Sequence, residues 1–265
     1  VRSGLLFPRD WQVENRQLVR ALAASAERFG ARLLKGTKTV GVRVVAGRAV
    51  GVETSEGALS AGTVVLAAGA WSSQLLKLSA GAGGEVGGEV RGEEEDAEPD
   101  DDLRVEPVRG QLLCFRQPDS QTPFVRHVVY SPRGYVVPRR DGRLLAGSTT
   151  ERAGFDCRVT EEGNVSIRSH AEEIAPAVSS LVVADSWAGL RPRAADGWPV
   201  MGESSNVENL FYATGYYRNG ILLAPASGEI IAGLVADGAT AWPPHVLKAF
   251  APARFRPALA GSHGK

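Results

Sequence analysis

Arg191 stands between the run Trp187-Ala188-Gly189-Leu190 and Pro192, a poor place for a free surface charge. A planar guanidinium there can grip a carboxylate through two parallel hydrogen bonds, which fixes both position and plane. It can equally tie its strand to a neighbouring acid in a buried salt bridge, and spacing alone leaves both open. A second candidate is the loop Gly215-Tyr216-Tyr217-Arg218-Asn219-Gly220, entered from a strand ending at Thr214 and left into a helix opening at Gly220. Such a loop aims free backbone N–H groups and a positive helix end at whatever lies above the sheet, a setting that suits an anion. Without its neighbours it is also an ordinary strand–loop–helix connection. Tyr135, in Gly134-Tyr135-Val136-Val137-Pro138-Arg139, shares a strand face with Val137 by alternation, so it either faces a cavity or packs in a core.

Other chemistries find little support. His127, His170, His245 and His263 are scattered, and no Gly-x-Ser-x-Gly elbow is present. Cys114 and Cys157 are the only cysteines and lack metal-ligand spacing. Asp196, in Ala195-Asp196-Gly197-Trp198-Pro199, reads as a turn residue. Gly81-Ala82-Gly83-Gly84 has no strand before it and carboxylates after it, which would repel a phosphate.

These residues need a scaffold, and 265 residues can bury a large core in one or two domains. With 30 acidic and 30 basic residues there is no net pull toward nucleic acid or an anionic membrane. The apolar run at 64–70 is too short to span a bilayer. The start, Val1-Arg2-Ser3-Gly4, carries no signal-peptide pattern, and with two unframed cysteines it points to a reducing, cytoplasmic setting.

Residues 13–29 predict a helix, with Asn15 as N-cap and Gly30 as left-handed stop. Strands follow over 31–34, 39–45, 48–54 and 63–67, the last reading as doubly buried at the centre of an α/β sheet. Residues 79–102, Gly-rich and then acidic, read as a solvated insert. From 103 to 190 hairpins predominate, with strands at 128–130, 135–138 and 144–147 and a two-residue turn at Asp141-Gly142. Thr160 caps a helix running to about Ile174, and Ser186-Trp187 opens another strand. A strand over 210–213 and a helix over 220–236, stopped by Gly238, complete the pattern.

Two blocks then stand out together: Trp187-Ala188-Gly189-Leu190-Arg191-Pro192 with Asp196-Gly197-Trp198-Pro199-Val200-Met201-Gly202, and Ala213-Thr214-Gly215 leading to Arg218-Asn219-Gly220-Ile221-Leu222-Leu223-Ala224-Pro225. They resemble the C-terminal signature of flavin-dependent amine oxidases of the D-amino-acid oxidase superfamily, and within it glycine oxidases. The resemblance covers nearly the whole chain outside the acidic insert. It implies an α/β, glutathione-reductase-like FAD-binding domain, over 1–78 and 191–250, and a second antiparallel-sheet α+β substrate domain over 103–190, with 251–265 as a C-terminal tail. It implies that Arg191 holds the substrate carboxylate, with the Tyr135 hydroxyl reaching the same group. Arg218 would add a second positive charge, and Thr150 would line the pocket. Tyr216, Tyr217, Arg218, Asn219, Gly220, Ile221 and Leu222 would contact the flavin, although glycine oxidases commonly carry His at the position of Tyr216. Thr39 and Val40 match a position that touches the adenosine half of FAD.

The reaction so implied is oxidation of a small amino acid to its imine, with molecular oxygen taking the electrons to give peroxide. The imine would hydrolyse to an oxo acid or enter thiazole formation in thiamine synthesis. FAD would be non-covalent, since neither cysteine occupies the attachment motif of sarcosine oxidases. A chain of this kind should open with Gly-x-Gly-x-x-Gly after a strand, and no such motif occurs here. The FAD domain therefore reads as N-terminally incomplete, and a complementary FAD-binding chain is an expected partner, with a homo-oligomer compatible. The alternative reading is a non-catalytic or partner-dependent flavoprotein fragment.

Overall fold

The structure, a computed structural model, describes residues 3–77, 103–117 and 123–255. The expected acidic insert, with Gly81-Ala82-Gly83-Gly84, lies outside them, as does most of the expected tail. Helix α1 spans Asn15–Arg28, and Gly30 follows its end at φ +91°. Its N-cap position is Glu14 rather than the expected Asn15, and no side chain caps it. The Glu14 carboxylate is drawn away by Arg143, at 3.1 Å, and by Arg139, at 3.6 Å. No strand forms over 31–34, where the residues are exposed and find no partner strand among the described residues.

Strands β1 (Thr39–Val45), β2 (Arg48–Thr54) and β3 (Gly57–Ser60) form an antiparallel meander. The Ala46-Gly47 turn has both φ values positive, 49° and 76°, as a two-residue hairpin matching strand twist requires. Strand β4 (Val64–Leu66) runs into a 3-10 turn at Gly69–Trp71 and helix α2 (Ser72–Lys77). The sequence reads this strand as central and doubly buried, and it is neither. β4 is the edge of a three-stranded sheet, and Val65 is 41% exposed, because only one of its faces is covered among the described residues.

Strands β5 (Val105–Arg116), β6 (Val129–Ser131), β7 (Gly134–Pro138) and β8 (Arg143–Gly147) precede helix α3 (Glu161–Ile174). Thr160 caps α3 as expected, its side chain accepting from the Gly163 N–H at 3.1 Å. The β7–β8 turn encloses three residues, not two. The Arg139 N–H reaches the Arg143 carbonyl at 2.7 Å, and Gly142 takes the left-handed position at φ +80°. Strand β9 (Val182–Ala194) then pairs with β5 along its length, closing an antiparallel sheet ordered β6-β7-β8-β5-β9. The strand continues four residues past the expected boundary at Leu190, so Arg191 belongs to this sheet.

β10 (Val200–Glu203) and β11 (Leu210–Thr214) complete the smaller sheet, ordered β10-β11-β4, with β11 parallel to β4. Helix α4 (Gly220–Asp237) ends on left-handed Gly238, followed by α5 (Pro244–Phe250) and a 3-10 turn at Pro252–Phe255. By length and composition α4 is apolar enough to cross a bilayer, which the run at 64–70 did not suggest. Its Ile230 and Ile231 are buried with Met201 of β10, with α5 packed alongside.

Two larger cores hold the frame. Leu113, Phe115, Val136, Leu144 and Ala146 of the five-stranded sheet pack against Ile167 and Ala171 of α3. Val42, Val64, Leu66, Val105, Ala194, Leu210 and Tyr212 join the two three-stranded sheets to the far ends of β5 and β9. Each fully buried large side chain contributes roughly 1.5–3 kcal/mol. The β5–β9 pair reaches into both cores, which fixes one sheet face relative to the loop after β11.

Candidate active site

Strand pairing alone determines which residues share that face. Gly110 pairs with Gly189, Leu112 with both Gly147 and Trp187, Val108 with Arg191, and Tyr135 with Gly147. Directly paired residues project to the same side of a sheet. One face therefore carries Tyr135, Trp187 and Arg191 over three glycines. The opposite face carries Leu113 and Val136 into α3.

The half-buried Arg191 guanidinium lies across the bare backbone of Gly110, where a Cβ would overlap Nη2, Nη1 and Cζ. Nη1 donates to the Thr149 carbonyl at 3.0 Å and the Arg109 carbonyl at 3.4 Å, and Nη2 donates to Ser148 Oγ at 2.8 Å. All three acceptors are neutral. Among the described residues Arg191 has no carboxylate partner, so the buried salt bridge left open by its sequence context does not form. Burial lowers its pKa, and the positive charge of Arg218 acts in the same direction, while Tyr135, Tyr217 and Glu151 act in the other. An arginine remains charged under such pressure. The result is a fixed cation with no counter-ion among the described residues.

Tyr135 leans over Gly147 in the same manner, its hydroxyl 2.9 Å from where a Gly147 Cβ would stand. Tyr130, its cross-strand partner, lies alongside with ring centroids 5.3 Å apart. The loop after β11 reaches the group from the other side. The Tyr217 N–H donates to the Pro192 carbonyl at 2.6 Å, and Tyr216 bridges to Arg193. Tyr217 takes φ +49°, a costly backbone for a non-glycine residue, at the point where the loop turns toward Arg191. Arg218 and Asn219 are exposed.

Helix α4 begins at Gly220 with no side-chain cap, so the first-turn N–H groups of Gly220, Ile221 and Leu222 find no partner among the described residues. Ile221 and Leu222 are exposed apolar groups beside them. The Tyr216 hydroxyl is buried and makes no well-formed hydrogen bond. Burial raises its pKa, countered by nearby Ser227, whose hydroxyl already donates to the Leu223 carbonyl at 2.8 Å. Tyr216, Gly220 and Ser227 also line an apolar groove of about 440 Å³ beside Val65 and α4.

The structure thus brings Arg191, Tyr135, Tyr217 and Arg218 together, with Tyr216, Asn219, Gly220, Ile221 and Leu222 in the adjoining loop and helix start. Thr150 is exposed, and it is its neighbours Ser148 and Thr149 that touch Arg191. Thr39 and Val40 open β1, where Thr39 pairs with Thr54 of β2. Sequence reasoning missed a polar layer beneath the site. Buried Arg109 donates to Glu151 Oε2 through Nε at 2.9 Å and Nη2 at 2.5 Å. Gln111 Nε2 donates to Glu151 Oε1 at 2.8 Å, and the Gln111 N–H donates to Thr149 Oγ1 at 2.8 Å. Burial would raise the pKa of Glu151, but hydrogen bonds from Thr149, Gln111 and Arg109 hold it lowered. The one sequence signal was the small polar run Gly147-Ser148-Thr149-Thr150 closing a strand.

A family model described as "FAD dependent oxidoreductase" matches residues 1–234. The glycine oxidase of Pseudomonas aeruginosa is 37% identical over 224 residues, covering 84% of this chain and 55% of that protein. The bifunctional ThiO/ThiG protein of Synechocystis is 33% identical over 257 residues, 96% of this chain and 35% of that one. Among solved structures, glycine oxidase from Geobacillus kaustophilus matches with TM-score 0.74 and 32% identity, over 89% of this chain and 58% of that one. The chain therefore spans roughly a third to just over half of the relatives it matches.

Proposed function

The chain belongs to the FAD dependent oxidoreductase family, and from that premise we propose that it oxidises a small, glycine-like amino acid. The products would be the imine and its oxo acid, with molecular oxygen reduced to peroxide, and the imine would also serve thiazole formation in thiamine synthesis. The observation that carries this reading is the uncompensated Arg191 cation beside Tyr135, held by three neutral oxygens on an open sheet face.

The loop fits the cofactor. The uncapped start of α4 offers N–H donors to an anionic edge, and the orphaned Tyr216 hydroxyl is a donor in want of an acceptor. Tyr216, Tyr217, Arg218, Asn219, Gly220, Ile221 and Leu222 are the residues that would hold its reactive ring, and Thr39 and Val40 its adenosine half. FAD, when bound, supplies the two-electron acceptor.

The protein's own part is placement. Two guanidinium donors fix the carboxylate in position and plane, and the Tyr135 hydroxyl adds a third contact, so the Cα–H is presented in one orientation. Arg218 lends further positive charge, and Thr150 would shape the rim. Nothing in the cluster is suited to take a proton. Glu151, whose charge reaches Arg191, is already committed to Arg109 and Gln111. The substrate would enter with its amine neutral.

No glycine-rich pyrophosphate loop occurs in the chain, and a complementary FAD-binding segment would supply it. The rival reading, a non-catalytic fragment, is less favoured, since enzyme relatives match across most of these residues. The test is to purify the chain with FAD, alone and with such a segment, and to assay peroxide from glycine, sarcosine and D-alanine. Peroxide from one of them is expected. Bound FAD without turnover of any would overturn the reading.

A further inference from the structure

We propose that Gly110 is a positioning residue that sets the height of the Arg191 guanidinium above the sheet, and with it the seat of the substrate carboxylate. The inference rests on the reading of Arg191 as the carboxylate-binding group.

Gly110 lies in the middle of β5, where glycine weakens a strand unless another group must approach closely. Its backbone is not in the left-handed region, so conformational freedom does not explain it. Space does. A Cβ at 110 would overlap three atoms of the guanidinium, whereas a Cβ at Gly189, its direct partner across the ladder, would meet nothing within 4 Å. Two glycines in one register pair thus differ completely in what their missing side chain allows.

The consequence follows from the donors. Nη1 is engaged by the Arg109 and Thr149 carbonyls and Nη2 by Ser148, so Nε and the remaining donor capacity of Nη2 have no partner among the described residues and are left for a ligand. Non-bonded carbons separate at about 3.5–4.0 Å. A methyl group at 110 must therefore lift the guanidinium by more than about 1 Å, away from all three acceptors.

The test uses acetate as probe on the chain purified with FAD, read by titration calorimetry and by the acetate-induced rise in Tm. Gly110→Ala should weaken acetate binding roughly tenfold or more and raise KM by a similar factor, with kcat changed less. Gly189→Ala should stay within about twofold of the parent. In an Arg191→Lys background, where the slimmer head clears the methyl group, Gly110→Ala should add less than about twofold. If Arg191→Ala leaves acetate binding intact, the reading of Arg191 itself fails. If Arg191→Ala weakens binding but Gly110→Ala behaves like Gly189→Ala, the positioning role fails. An equal loss from Gly110→Ala in both backgrounds overturns it as well. Should Gly110→Ala not fold, the Gly110→Ala/Arg191→Lys double variant should fold, and its failure would place the clash elsewhere.

Discussion

The Tyr135 ring rests on the backbone of Gly147, with its hydroxyl 2.9 Å from the position a Cβ there would take. A strand tyrosine normally stands off its sheet, but here a glycine on the neighbouring strand lets it lie down toward Arg191. Tyr135→Phe keeps that packing and removes only the hydroxyl. A hydrogen bond to a charged group contributes about 1.5–3 kcal/mol, so acetate affinity should fall by roughly tenfold to a hundredfold while the thermal midpoint holds. Unchanged affinity would assign Tyr135 a packing role alone.

Arg191→Ala removes the cation itself. Loss of a charge-assisted bidentate contact should cost about 1.5–3 kcal/mol or more in transition-state stabilisation. KM for the amino acid should rise and turnover should fall. Arg191→Lys should recover only part, because a point charge cannot reproduce the fork. Kinetics matching the parent in both variants would make Arg191 structural.

Much of the frame was legible in the residues. The cap Thr160, the stop Gly238 and the turn Ala46-Gly47 act locally, and local signals survive into the fold unchanged. Arg191 and the Gly215–Gly220 loop stood out only through the two sequence blocks that contain them, since their own spacing left a salt bridge and an ordinary strand–loop–helix connection open. The layer beneath was not legible. Gly110, Gln111, Thr149 and Glu151 meet only because β5 pairs with β9 on one side and β8 on the other, and no sequence period encodes that register. β4 misled for a related reason: Val64-Val65-Leu66 is apolar throughout, yet only one face is covered among the described residues.

Ser72 and Thr214 test the joint between α2 and β11. Both are fully buried; Ser72 Oγ donates to Thr214 Oγ1 at 3.0 Å, and Thr214 Oγ1 donates to the Gly69 carbonyl at 3.0 Å. Thr214→Val strands the buried Ser72 hydroxyl, while the Gly69 carbonyl keeps the Ser72 backbone N–H as a donor. An unsatisfied buried polar group costs about 1–3 kcal/mol, so urea unfolding should show at least that loss. Ser72→Ala leaves the Thr214–Gly69 bond intact and should cost less. Equal losses would mean that the chain of bonds does not act in this order.

Arg254 fastens the end of the described chain. It donates to Asp196 Oδ2 at 2.7 Å and Oδ1 at 3.2 Å, to the Trp198 carbonyl at 2.9 Å and to the Phe250 carbonyl at 2.7 Å. Asp196, read from sequence as a turn residue, is thus also an anchor. Arg254→Ala should release residues 243–255, seen as faster limited proteolysis there with the five-stranded sheet still protected in hydrogen exchange. Cleavage at the parent rate would show that the α5 packing suffices.

Acid should loosen the polar layer under the site before it unfolds the cores. Asp156 is held down to about 2 by hydrogen bonds from the Arg158 side chain and backbone, with Arg109 adding charge at 3.1 Å. Glu151 is lowered as well, the hydrogen bonds from Thr149, Gln111 and Arg109 outweighing its burial. A carboxylate with a depressed folded-state pKa stabilises the fold above its unfolded value, and that contribution is lost as pH falls through the folded value. For Asp156 the window runs from about 4 down to about 2. Thermal midpoints should therefore be flat from neutral pH to about 5 and fall steeply below about 4. Asp156→Asn should lower the neutral-pH midpoint and flatten the acid limb, since the variant has no proton to take up there. An acid limb as steep as the parent's would exclude Asp156 as its source.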